Sequence, residues 1–152
     1  MGMSFTSCSD DDRPGIPSTE TINEHLKGQW FLVKEDFCDG EWVIWDYNNQ
    51  TECGITHDGE YEEPRRLAIS RSDSDDRLFR FHEFIYINGN WSTFNSDSYK
   101  IENNIIEQDS SEYYSYKKYI STLTNESLVI IEEYEDEEGS DMTIFTYRRD
   151  RD

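Results

Sequence analysis

At 152 residues the chain has room for one ordinary domain and a tail, but not for two cores of useful size. Its apolar fraction of 34% is low, yet aromatic residues make up 14%, far above what disordered chains carry, so a folded domain is expected. A formal charge of −20 repels polyanions and argues against nucleic acid and against direct docking on anionic lipid, and no stretch approaches the ~20 apolar residues of a membrane-spanning helix.

The chain opens Met1-Gly2-Met3-Ser4-Phe5-Thr6-Ser7-Cys8, a short small-and-apolar run ending in cysteine. Phe5-Thr6-Ser7-Cys8 resembles a bacterial lipobox, at the tail of a truncated secretory signal, although Phe5 stands where Leu is usual. The resemblance implies that Cys8 is acylated and becomes the first residue of the mature protein. Ser9-Asp10-Asp11-Asp12 is similar to the acidic signal that carries some Gram-negative lipoproteins to the cell surface. It implies an outer-membrane, surface-exposed location with membrane contact through the lipid anchor. Residues 9–17, with Pro14, Gly15 and Pro17, read as a flexible tether, which sets residues 1–17 apart from a folded domain over 18–152.

Once Cys8 is assigned to lipid, Cys38 and Cys53 remain as an even pair in an oxidising compartment. A disulfide between them is permitted, and two separate thiols are the alternative. Neither belongs to a C-x-x-C pair, so zinc and dithiol redox chemistry have no footing.

Ser18 can cap a short helix reaching about Lys27, with Ile22 and Leu26 on one stripe. Beyond it the period changes to two. Strands are predicted at Gln29 to Glu35, Glu41 to Tyr47, Arg65 to Arg71, Arg77 to Ile87, Trp91 to Phe94, Ser98 to Gln108, Tyr113 to Leu123, Leu128 to Glu135 and Met142 to Arg149. Turn-like separators lie between them, among them Asp39-Gly40, the acidic run from Asp73 to Asp76, Asn88-Gly89-Asn90 and Asp136 to Ser140. Short strands joined by hairpin-length turns make an antiparallel up-and-down meander, and closure into a barrel of about eight strands is the expected way to remove its edges.

Leu26-Lys27-Gly28-Gln29-Trp30, a short helix running into G-x-W, resembles the opening of lipocalin-like domains. Phe145-Thr146-Tyr147-Arg148-Arg149 is similar to the last strand of that superfamily, and Tyr119 to Val129 resembles a hairpin of its bacterial envelope lipoproteins. The resemblance covers about Leu26 to Arg149. It implies a lipocalin-like barrel whose Gly28, Trp30 and either Arg148 or Arg149 close one end by a structural cation–π contact.

Catalytic patterns are absent from the sequence. His25, His57 and His82 have no metal-ligand spacing, and His82 and Glu83, adjacent in a strand, face opposite ways. The acidic runs match no calcium loop and read as solvated turns. No cofactor, metal or catalytic residue is therefore expected, and the domain is expected to be non-enzymatic. Trp45 and Tyr47 are predicted to share one strand face with Trp42 on the other, and Tyr113, Tyr114, Tyr116 and Tyr119 form a second aromatic group; core packing and a ligand-lining surface are both open to them. A ligand in such an acidic domain is expected to be small and neutral or cationic, unless Arg65, Arg66, Arg77 or Arg80 converge inside. The alternative is an interaction or accessory module of a surface complex, with a barrel filled by its own side chains. Partner proteins and oligomeric state are not legible.

Overall fold

The structure, a computed structural model, describes residues 16–72, 75 and 78–150. Cys8, the export residues Ser9 to Asp12 and Arg77 lie outside the described residues, as do Asp73, Ser74 and Asp76 of the acidic turn. Helix α1 (Thr19–His25) starts at Ser18, whose hydroxyl accepts from the Thr21 amide at 3.1 Å. This N-cap satisfies one of the helix's orphan donors. Ile22 and Leu26 bury the apolar stripe against Trp30 and its neighbours.

Eleven antiparallel strands follow in one sheet: β1 (Gly28–Asp36), β2 (Trp42–Ile44), β3 (Gly54–Thr56), β4 (Tyr61–Glu62), β5 (Arg65–Arg71), β6 (Leu78–Ile87), β7 (Asn90–Lys100), β8 (Ile105–Ser110), β9 (Tyr114–Leu123), β10 (Ser127–Asp136) and β11 (Gly139–Arg149). Eight of them run in the order β7-β6-β5-β1-β11-β10-β9-β8, a meander in which the first long strand pairs with the last. The first half of β1, Gly28 to Phe31, pairs with β5, whereas Lys34 to Asp36 pair with β2. β2, β3 and β4 therefore form a small flap continuing from the far half of β1.

The expected closed barrel is not formed. The two free edges, β7 and β8, are consecutive in sequence and joined through residues 101–104, so the sheet curls until its edges meet at that end. An isolated bridge between Glu102 and Ile105 holds the turn, but no hydrogen-bonded register joins β7 to β8. Asp97 of β7 and Glu107 of β8 both raise the Tyr99 phenol.

Several strand boundaries differ from the sequence expectation. The segments Trp91 to Phe94 and Ser98 to Lys100 belong to a single strand with a bulge, in which Glu83 pairs with Asn95 and Phe84 with Thr93, leaving Phe94 as the extra residue. An inserted residue interrupts the two-residue alternation, so one strand looks like two. The second predicted strand ends at Ile44, well short of Tyr47, so the alternation expected to place Trp42, Trp45 and Tyr47 on opposite faces does not apply. The short flap strands β3 and β4 carry too little pattern to be seen in sequence.

The core occupies the half of the concave face nearest α1. Trp30, Leu32, Leu67, Ile69, Phe79, Phe81, Ile106, Ile120, Leu128, Ile130 and Tyr147 pack there with Ile22 and Leu26. At this end the Trp30 indole donates to the Leu26 carbonyl at 3.0 Å, and the Arg149 guanidinium lies 4.0 Å from the ring centroid. Arg148 points to the other side of β11, 4.1 Å from the Tyr47 ring.

Candidate functional site

Beyond the apolar half, the concave face turns polar. The change begins with a bulge in β1: Leu32 pairs with Tyr147, Lys34 with Thr146 and Glu35 with Phe145, so Val33 is the inserted residue. Without it Leu32, Lys34 and Asp36 would share the concave face. With it Glu35 turns inward and Lys34 outward, replacing an interior cation by a carboxylate.

Opposite Glu35 stand side chains from several other strands. Leu67, Phe81, Glu83, Asn95, Asp97, Tyr99, Lys118, Ile130, Glu132, Phe145 and Tyr147 line a central cavity of about 40 Å³. Asn95 Nδ2 donates to Glu83 Oε2 at 3.1 Å, and the Lys118 ammonium lies 3.7 Å from Glu132 Oε2. Tyr147 is 8% exposed, and Glu83, Glu35, Glu132 and Arg65 all act on its hydroxyl. Burial first, and these carboxylates second, push that phenol well above its ordinary range. The same two causes, with Asp97 and Glu107 contributing most of the charge, push Tyr99 up to about 12. Burial likewise raises Tyr116, followed by Glu132 and Glu107. Glu35 is held above the usual carboxylate range, chiefly by burial; Arg65 opposes this, while Glu62, Glu132 and Glu83 add to it.

Arg65 is the inward cation of β5. Its guanidinium lies 5.0 Å from the Phe94 ring, and its Nε is buried without a hydrogen-bond partner. Arg66, on the other side of the strand, donates to Gln50 Oε1 at 2.8 Å and stacks 4.3 Å from Trp91. Arg80 is exposed. Among the described residues, the arginines therefore do not converge inside.

Glu35 and Arg65 also border a mouth pocket of about 300 Å³ under the flap, together with Trp42, Val43, Trp45, His57 and Glu62. Trp45 is anchored there by its indole N–H, which approaches the Glu62 and Glu63 carbonyls at 3.2 and 3.1 Å. Trp42 meets His57 edge to face at 6.2 Å. At about 300 Å³ the pocket is at the lower end of small-molecule sites, whereas the central cavity has room only for a water-sized group.

The other residues singled out in the sequence are dispersed. His82 faces away from Glu83, with Nδ1 3.0 Å from Ser96 Oγ, and His25 offers its carbonyl to Arg149 at 2.6 Å. Of the second aromatic group, Tyr116 enters the polar layer, Tyr114 stacks on Tyr134 at 6.1 Å, Tyr119 is buried and Tyr113 is exposed. Cys53 is exposed with a free thiol, so the permitted Cys38–Cys53 disulfide is not formed. Cys38, in the β1–β2 turn at φ 61°, is itself disulfide-bonded and so is not available to Cys53. Among the described residues, no group of three or more His, Cys, Asp or Glu is placed to hold a metal ion.

The residues that sequence reasoning missed are Glu35, Glu83, Glu132 and Tyr147. Their signal is the bulge in β1 and the pairing of β6, β10 and β11 around it, none of which is visible in one strand alone.

No known protein family matches the chain, and no curated protein matches it. Among solved structures, it is similar to an S-type phycobiliprotein lyase from Guillardia theta, with 11% sequence identity and a TM-score of 0.50 over 90% of this chain and 94% of that one. At that identity the likeness concerns the fold alone. It corrects one expectation: a non-enzymatic domain does not follow from this architecture, because a chain of the same fold is a lyase. Missing sequence motifs have little force in a fold whose site is assembled from single side chains on many strands.

Proposed function

We propose that the chain is a lipid-anchored, surface-exposed lipoprotein of the outer membrane whose lipocalin-like domain binds or carries a small neutral or cationic ligand at the mouth of its concave face. The observation that supports ligand binding is the mouth pocket of about 300 Å³, where Trp42 and Trp45 meet the inward charges Glu35 and Arg65. The charge preference follows from the interior itself, where carboxylates outnumber the two cations Arg65 and Lys118, and from a net charge of −20 that disfavours anions at any concave mouth. Chemistry on the bound ligand is compatible with this reading, since a lyase shares the fold.

Titration of the full chain with neutral sugars, amines, fatty acids and nucleotides, followed by tryptophan fluorescence and calorimetry, tests it. Saturable binding of a neutral or cationic compound is the expected result. Tighter binding of a fatty acid or nucleotide at physiological salt would show the inference from charge to be wrong. A second reading, an accessory module of a surface complex, is favoured by the central cavity of only about 40 Å³, which leaves the middle of the curled sheet filled by its own side chains. Absence of saturable binding across the whole panel would favour that reading.

A further inference from the structure

We propose that the outer face of the flap is a docking surface for a segment of another protein that alternates apolar and basic side chains. This goes beyond the ligand reading, because the mouth pocket lies beneath the opposite face of the same strands.

The register of the flap strands builds the surface. Ile44 of β2 stands opposite Ile55 of β3, and Ile55 stands opposite Tyr61 of β4, so the three side chains form one row across the flap. Glu35, Val43 and Thr56, one position away along their strands, form the neighbouring row on the concave side, and all three border the mouth pocket. The concave row is covered, with Val43 at 5% exposure, whereas Ile44, Ile55 and Tyr61 are 47%, 50% and 72% exposed.

The row is part of a larger apolar feature. Ile44 and Ile55 line an open groove of about 740 Å³ together with Trp42, Tyr47 and Val33, the inserted residue of β1. Single exposed apolar side chains are ordinary, but a contiguous set bordered by polar residues marks an interaction surface. The row also ends on β4, the free edge of the flap, whose unpaired backbone groups a second chain can meet.

Charge selects the occupant. Asp46 and Glu52 line the groove, and Glu60 and Glu62 flank Tyr61, all four exposed. Of the nearby cations, Arg148 lies 4.1 Å from the Tyr47 ring, and Lys34, opposite Ile44 in β1, lies 3.9 Å from Asp36. Two copies meeting on this face would bring their acidic rims together, each chain carrying a net charge of −20, and an anionic lipid surface is repelled in the same way. A basic segment is instead drawn to the rim, and its apolar side chains cover Ile44, Ile55 and Tyr61.

The test uses the full chain and three capped octapeptides, one alternating lysine with valine, one glutamate with valine and one lysine with serine, each titrated by calorimetry. The lysine-valine peptide should bind at least tenfold more tightly than either counterpart. Cys53, an exposed thiol bordering the groove, gives a local reading: its alkylation, followed by mass spectrometry, should slow at least threefold with that peptide and stay level with the other two. The double variant Ile44→Ser with Ile55→Ser, checked for an unchanged fold, should lose at least tenfold in affinity for the lysine-valine peptide. Should it fail to fold, protection of Cys53 in the wild-type protein carries the test. Equal binding of the lysine-serine peptide would overturn the apolar surface, and equal binding of the glutamate-valine peptide would overturn the selection by charge. Self-association in sedimentation that the double variant abolishes would give the face to a second copy, and binding to phosphatidylcholine vesicles that it abolishes would give the face to a membrane; either overturns the proposal. So does the absence of any binding of the lysine-valine peptide at millimolar concentration, and the ligand panel described above decides the mouth pocket separately.

Discussion

Arg149 crosses the indole of Trp30 at 4.0 Å while its three guanidinium nitrogens donate to the carbonyls of Asn125, Lys27 and His25 at 2.9, 2.7 and 2.6 Å. One side chain thus ties the last strand to the end of the helix, the start of β1 and the β9–β10 turn. Burial lowers its pKa, yet the guanidinium stays charged far above neutral pH. Arg149→Ala removes all three charge-assisted bonds and should cost roughly 2–4 kcal/mol. Arg148→Ala loses one cation–π contact on Tyr47, about 0.5–1 kcal/mol. Trp30→Ala should cost about 3–5 kcal/mol as a large-to-small core change. Urea denaturation of the three variants checks the ranking, and equal losses from the two arginine variants would contradict it.

Gly28 belongs to the same arrangement. Its φ is +136°, and a Cβ there would stand 2.2 Å from Arg149 Nη1. Gly28→Ala is therefore strained both in its backbone and against the guanidinium, and a loss of about 1–3 kcal/mol is expected. The double variant Gly28→Ala with Arg149→Ala should lose less than the sum of the two single changes, since the clash disappears with the arginine. Strict additivity in denaturation would show that the contact is not made.

Glu35 gives a pH dependence whose sign can be worked out. Its carboxyl is raised above its ordinary value of 4.5, so the folded chain binds the proton more readily than the unfolded one. Its contribution to stability is then fully present below the unfolded pKa and is lost as pH rises through the folded pKa. Glu35→Gln should raise the melting temperature at pH 7, and the gain should shrink as pH is lowered toward 4.5. A variant less stable than wild type at pH 7 would contradict the direction.

Gly54 supports the flap over the mouth. A Cβ at this position would approach the Trp45 ring to 2.6 Å and the Ile44 carbonyl oxygen to 2.7 Å, both in the packed interior of the flap. Gly54→Ala should displace Trp45 from the Glu62 and Glu63 carbonyls at a cost of about 1–3 kcal/mol. Faster amide exchange confined to β2, β3 and β4, together with a shifted tryptophan emission, is the expected signature. Exchange that is unchanged there would remove Gly54 from the account of the mouth.

The anchor proposal is tested in cells. With a signal peptide placed ahead of Met1, the protein should incorporate labelled fatty acid, and Cys8→Ala should abolish the label. Replacement of Asp10, Asp11 and Asp12 together by Ala should leave the label intact and reduce protease accessibility on whole cells. Label that survives the Cys8 substitution would end the lipoprotein reading, and unchanged accessibility would end the surface-export reading alone.

Local patterning in the sequence was enough for the capped helix at Ser18, for most of the long strands and for their antiparallel meander, because periods, caps and turn residues act within a few positions of themselves. The roles of Gly28, Trp30 and an arginine partner in the last strand were expected from the resemblance to lipocalin-like domains, not from local patterning. Which arginine it is depended on the register of β11 against β1, since Arg148 and Arg149 differ only in the face they take. The candidate site was harder. Arg65 was named among several arginines, but Glu35, Glu83 and Glu132 are three of 34 acidic residues, and nothing local distinguishes them. Only the packed sheet decided that they share an interior: the bulge at Val33 exists because β1 pairs with β11 in a particular register, and it turns Glu35 inward in place of Lys34. The open seam between β7 and β8 has the same origin. Each strand has a good pattern of its own, and whether two edges join is settled by the curvature and register of the whole sheet.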